Sequence, residues 1–125
     1  MTREERNRIA RAIETAESGT TGRIAVRVIP DRSVDAFERA KHEFGRTGLD
    51  RHDAANAALV LVAPRAKQYA VLGDRALHDR VGDAFWQSIV DDVRPIFARG
   101  EIADAVVAAV GRIGDALHEH FALAP

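Results

Sequence analysis

The sequence contains no cysteine. That excludes a disulfide framework and any metal site built on thiolates. There is no excess of one charge: 18 basic and 19 acidic residues leave a formal charge of -1. This balance argues against a whole-surface nucleic-acid binder and against a polybasic membrane arm. No run approaches the roughly 20 apolar residues that span a bilayer, so no direct membrane insertion is expected. The opening MTREERNRIARAIETAE is charged from its third residue and lacks the apolar centre of a signal peptide. The chain as given is therefore expected in the cytoplasm. Internal repeats and low-complexity segments are missing. So are G-x-x-x-x-G-K-[ST], G-x-G-x-x-G, H-E-x-x-H and G-x-S-x-G, which removes the usual nucleotide, zinc-protease and hydrolase signatures. The calcium loop of EF-hands is also absent.

What is present suffices for one core. The 125 residues are 46% hydrophobic and 30% charged, so a single domain over 1–125 is expected. The organising stretch is NAALVLVAPRAKQYAVLGD, from Asn56 to Asp74. Two apolar runs, 57–63 and 68–72, are split by Pro64, Arg65, Ala66 and Lys67. They read as two antiparallel strands. The first run has almost no polar alternation, so both its faces should be buried under helices.

Around this hairpin the patterns are helical. Thr2 is a fitting N-cap for a helix carrying Ile9, Ile13 and Ala16, with Gly19 beyond its end. Ile24, Val26 and Val28 alternate with Arg23, Ala25 and Arg27, which is a strand ended by Pro30. Ser33 is a natural cap for a second helix showing Val34, Phe37, Lys41 and Phe44 at helical spacing. Strand, helix and buried strand make a right-handed parallel crossover. After the hairpin comes a short helical turn, 76–81. A longer helix follows, capped by Asp83 and faced by Phe85, Trp86, Ile89, Val90 and Val93. Pro95 is expected to break or kink it at Arg94. Ile102, Val106, Ala109, Ile113 and Leu117 mark the last helix. Gly111 and Gly114 inside it suggest close approach to the sheet. The sum is a three-layer α/β/α sandwich around a small mixed sheet.

Carboxylates are the candidate chemistry. Asp74 directly follows the hairpin, whose return should bring it near Asn56 and Asp53. Two carboxylates and an amide oxygen suit Ca²⁺ or Mg²⁺. Asp91 and Asp92 lie further on, with Asp79 and Asp83 between. The plainer alternative makes Asp74 and Asp83 helix caps and Asp91-Asp92 a solvated face. His118 and His120 stand two apart, the wrong spacing for one helix face, and read as a solvated helix end. Ser33 and Ser88 have no histidine placed to activate them.

The order of segments adds a resemblance. IARAIETAESGTTGRIAVRV, a helix, NAALVLVAPRAKQYAVLGD, VGDAFWQSIVDDV and IGDALHEHF together look like the TPM domain family. The likeness runs from about Ile9 to Phe121 and is to its short free-standing bacterial branch. It implies a Rossmann-like α/β/α sandwich and a divalent-cation site, calcium among the ions. It also carries a phosphatase label, from a thylakoid lumen relative called an acid phosphatase. By position, the family's Asn opening the central strand falls on Asn56, and its Gly-Asp after the hairpin on Gly73 and Asp74. Its acidic stretch falls on Asp91 and Asp92. Many members enter the first strand with Gly-Glu-Ile, where this chain has Gly22-Arg23-Ile24, a charge reversal that repels a nearby cation. Many also have a glycine where this chain has Ala76. Three functions fit these features. One is a cation-binding accessory or interaction domain. Another is a weak metal-dependent phosphomonoesterase, with Arg51 and Arg75 as phosphate clamps. The third is a metal-free module that binds an unknown protein partner through the last helix.

Overall fold

A computed structural model describes residues 1–124. The apolar run Ala57–Ala63 becomes the central strand, here β2. It pairs in parallel with β1, Arg23–Val28, and antiparallel with β3, Gln68–Gly73. The sheet order is therefore β1-β2-β3. Every residue of β2 is buried. Its side chains alternate between two cores, as the pleat requires. Ala57, Leu59, Leu61 and Ala63 face α2, Ala36–Arg46. Ala58, Val60 and Val62 face α1, Arg3–Glu17, and α5, Ile102–His120. Two more helices, α3 (Arg75–Val81) and α4 (Asp83–Ala98), complete that second layer through Leu77, Ile89 and Val93. Helices cover both faces of the sheet, the three-layer arrangement the unbroken apolar run implies.

Local signals hold at most ends and fail at a few. Thr2 caps α1 in a full capping box with Glu5. At α2 the cap is Asp35, which accepts from the Glu38 N–H, rather than Ser33. The helix is correspondingly rotated. Ala36, Ala40 and Phe44 are buried, whereas Phe37 is 51% exposed and lies under Lys41. Gly82 precedes α4 at φ 76, so Asp83 is its first residue and not its cap. Pro95 does not end α4, which continues to Ala98. Proline costs a helix the bond its own N–H would make, and here the chain has only one more turn to run. Gly114 is close-packed as expected, but against α1 and not the sheet. A Cβ there would lie 2.7 Å from Ala16 Cβ, while Gly111 faces open space. His118 is more than a solvated end: its ring nitrogens lie 2.7 Å from the carbonyl oxygens of Gly114 and Ser18.

One buried charge stands between α2 and β1. The Glu43 side chain is 4% exposed and receives three arginines. Arg46 donates at 2.7 and 3.0 Å, Arg39 at 3.4 Å, and Arg27 lies 3.6 Å away. The Arg46 hydrogen bonds hold this carboxyl below its usual value of 4.5, against the opposing effect of burial. A depressed folded pKa stabilises above the unfolded value and is lost as pH falls through the folded one. Glu43→Gln should therefore cost about 1–2 kcal/mol at neutral pH. The gap between the two proteins should narrow once the pH falls below the unfolded pKa and close as it passes the folded one. Denaturant unfolding at neutral pH and at a series of acid pH values measures it.

Candidate functional site

The rim of interest is where β2 begins and β3 ends. Ala57 and Gly73 lie at that end of the ladder, where Ala58 pairs with Gly73. Backbone bonds lock the two segments together on either side of Asn56. The Asp74 N–H donates to the Ala57 carbonyl at 2.8 Å, and the Ala76 N–H to the Ala55 carbonyl at 2.8 Å. The antiparallel return thus brings Asn56 and Asp74 to one rim, as the hairpin geometry demands.

Asn56 is fully buried. Its Nδ2 donates to Thr21 Oγ1 at 2.9 Å. Its Oδ1 is buried and, among the described residues, accepts from nothing. A buried polar atom without a partner is uncommon and costs about 1–3 kcal/mol. Directly before it, Ala55 sits at φ 52, a left-handed conformation costing an L-residue about 1–2 kcal/mol. Strain and an unpaired acceptor therefore occur in consecutive residues.

Thr21 is held in place three ways. Its N–H donates to the Phe121 carbonyl at 3.0 Å, where the C-terminal tail crosses the loop after α1. Its carbonyl accepts from the His52 Nε2–H at 2.8 Å. Its hydroxyl takes the Asn56 amide. Sequence does not mark Thr21 as the partner of Asn56, 35 positions away, nor His52 as the partner of Thr21, 31 positions away. The Thr20-Thr21 pair, one glycine ahead of β1, is the signal the sequence offers.

Asp74 is half-buried and serves as the N-cap of α3, its Oδ1 accepting from the Arg75 N–H at 2.7 Å. Asp53 is exposed and borders a hollow of about 250 Å³ with Arg23, Arg51 and His52. Asp91 and Asp92 are not brought to this rim. The Val90 carbonyl accepts from Tyr69 at 3.2 Å, which sets that part of α4 beside the start of β3, the end away from Asp74. Asp91 accepts from Gln87 at 3.0 Å and pairs with Arg94, and Asp92 pairs with Arg112. Among the described residues no three His, Asp or Glu side chains cluster closely enough to hold a metal. Ser88 Oγ donates to the Phe85 carbonyl at 2.7 Å and accepts from Arg112 at 2.8 Å. No helix among the described residues is long and apolar enough to cross a membrane.

The fold and this rim define a small α/β domain whose buried central strand ends in a polar corner. The family model described as TPM domain matches residues 1–116, and the chain belongs to that family. It is similar to the BA42 protein of the psychrophilic bacterium Bizionia argentinensis, at 30% identity and a TM-score of 0.88. That match covers 98% of this chain and 84% of the other. The N-terminal domain of cg2496 from Corynebacterium glutamicum shares the fold at 16% identity and a TM-score of 0.74, over 94% of this chain and 74% of that one. No curated protein matches the chain.

Proposed function

We propose that this TPM domain is a divalent-cation-binding accessory or interaction domain, with its ion at the Asn56–Asp74 rim. The observation that carries the proposal is the buried, unpaired Oδ1 of Asn56. An acceptor kept dry and unused at a cost is explained if a hard cation is its partner. Asp74, one strand over, supplies a carboxylate with a second oxygen not engaged in the cap. Amide and carboxylate oxygens favour Ca²⁺ or Mg²⁺ over softer metals. Asp53, exposed and upstream in the same loop, is a third donor within the proposal; Asp91 and Asp92 are left out of it.

The site is a weak one by construction. Few carboxylates face it, and Arg23 stands level with Ala57 on the neighbouring strand. A guanidinium at that position opposes a cation. A domain that binds an ion loosely through few ligands is better suited to being ordered or docked by it than to sustained turnover, which favours the accessory role.

Calorimetric titration with Ca²⁺ and Mg²⁺ tests this. Binding heat is expected from the parent protein, none from Asp74→Ala, and tighter binding from Arg23→Glu. Equal heat from the parent and Asp74→Ala would remove the site from this rim. Phosphomonoester turnover that survives repurification and needs Asp74 would move the assignment from accessory domain to enzyme.

A further inference from the structure

A second feature lies at the opposite end of the sheet and owes nothing to the rim. The hairpin between β2 and β3 turns through Pro64–Ala66, a single 3-10 turn, and then through Lys67. Lys67 has φ 54. Glycine or asparagine adopts that conformation readily, and lysine does so at a cost. Strain held on a long cationic side chain points to use of the side chain.

That side chain lines a cleft of about 640 Å³ between the hairpin and the C-terminal half of α4. This volume is within the range of small-molecule sites. One wall is the Tyr69–Phe97 stack, with ring centroids 4.2 Å apart. The Tyr69 hydroxyl also donates to the Val90 carbonyl at 3.2 Å, so the ring is fixed both by stacking and by a hydrogen bond. Val62 and Ile102 add aliphatic surface. Lys67 and Arg94 border the same cleft. Arg94 pairs with Asp91 at 3.3 Å, but both side chains are more than half exposed, so the contact is readily exchanged. Lys67 forms no ion pair among the described residues.

We infer that this cleft binds a small aromatic carboxylate, its planar body against the Tyr69–Phe97 wall and its acid group between Lys67 and Arg94. An aromatic wall selects an aromatic body, which meets the rings by their edges or by an outer face. Two cations at its edge select an anion, and a guanidinium can take a carboxylate through two hydrogen bonds. The strained lysine is the third term: the turn tolerates it because the charge belongs there.

The test uses the full chain, isotope-labelled for NMR, with indole-3-acetate as the probe and the neutral indole-3-acetamide as its control. Saturable shifts are expected at Val62, Tyr69, Phe97 and Ile102. The acid should bind about tenfold more tightly than the amide, the scale of one charge-assisted contact. Lys67→Gly separates strain from recognition. Glycine fits the turn better, so this variant should melt higher than the parent while its affinity for the acid falls several-fold toward that for the amide, Arg94 alone remaining. Arg94→Gln should lose acid affinity without gaining stability. The inference is overturned if shifts are absent or centre elsewhere, if acid and amide bind equally, or if Lys67→Gly keeps the parent's affinity for the acid.

Discussion

Leu59→Asp is expected to yield no folded protein. Leu59 is fully buried at the middle of β2, level with Ala25 on one side and Leu72 on the other. Its side chain enters the core beneath α2, with Leu61, Phe44 and Leu49. Truncating such a leucine already costs about 2–5 kcal/mol. An aspartate adds the desolvation of a carboxyl group, ionised or neutral, with no partner in that core, which costs several kcal/mol more. Together these match or exceed the whole stability of about 5–15 kcal/mol typical of a domain. Circular dichroism and denaturant titration would show a variant without a cooperative transition. Leu59→Met keeps volume and polarity and should cost under about 1.5 kcal/mol. A soluble Leu59→Asp protein with a sharp melt would contradict the two-sided burial of this strand.

The next largest effect comes from two glycines on α5 that should respond in opposite directions. At Gly114 an added Cβ would sit 2.7 Å from Ala16 Cβ and 2.9 Å from Ala16 Cα. The latter is backbone, so α1 and α5 would have to separate. Gly114→Leu should therefore destabilise by about 3 kcal/mol or more, the upper part of the overpacking range. Gly111, one turn earlier, is exposed and meets nothing within 4 Å. Gly111→Ala should stabilise by about 0.5–1 kcal/mol, through helix propensity alone. Thermal melts of the two single variants decide it. Loss of stability at both positions would mean that α5 does not present Gly111 to open space while packing Gly114 on α1.

Sequence legibility follows from how local each determinant is. The burial of β2 was readable because a seven-residue run of Ala, Leu and Val has no other use at that length. The shared rim of Asn56 and Asp74 followed from the hairpin, since an antiparallel return fixes which ends meet. The failures are non-local. Phe37 and Ala36 differ by one step on a helix wheel, and only the packing of α2 on β2 and β3 decides which turns inward. Glu43 looks like any helical surface glutamate until Arg46, Arg39 and Arg27 close over it. The tightness of Gly114 depends on Ala16, 98 residues away. Thr21 meets Asn56 only because β1 and β2 are neighbours in register and the C-terminal tail pins the loop. The family resemblance assigns Asp91 and Asp92 to the site, yet α4 carries them to the other end of the sheet, where Arg94 and Arg112 pair with them.

These cases share a reason. Apolar runs and turns are written in consecutive residues, whereas a site is assembled from side chains whose neighbours are set by topology. The orphaned Asn56 oxygen belongs to the second kind, and so do Lys67 and Arg94, which border one cleft from different elements.

On the proposal above, the buried amide opening β2 keeps its oxygen free for a cation shared with Asp74. NMR of the Asn56 side-chain amide during Ca²⁺ titration tests it most directly, with Asn56→Leu as the companion variant. The account predicts saturable shifts concentrated at Thr21, Asn56 and Asp74. It also predicts that calcium-free Asn56→Leu stays close to the parent in stability, since relief of an unpaired oxygen worth about 1–3 kcal/mol offsets the lost Nδ2 hydrogen bond to Thr21, worth about 0.5–1.5 kcal/mol, and that calcium no longer raises its melting temperature. An Asn56 amide that does not move with calcium, or an Asn56→Leu protein that still gains stability from the ion, would contradict it.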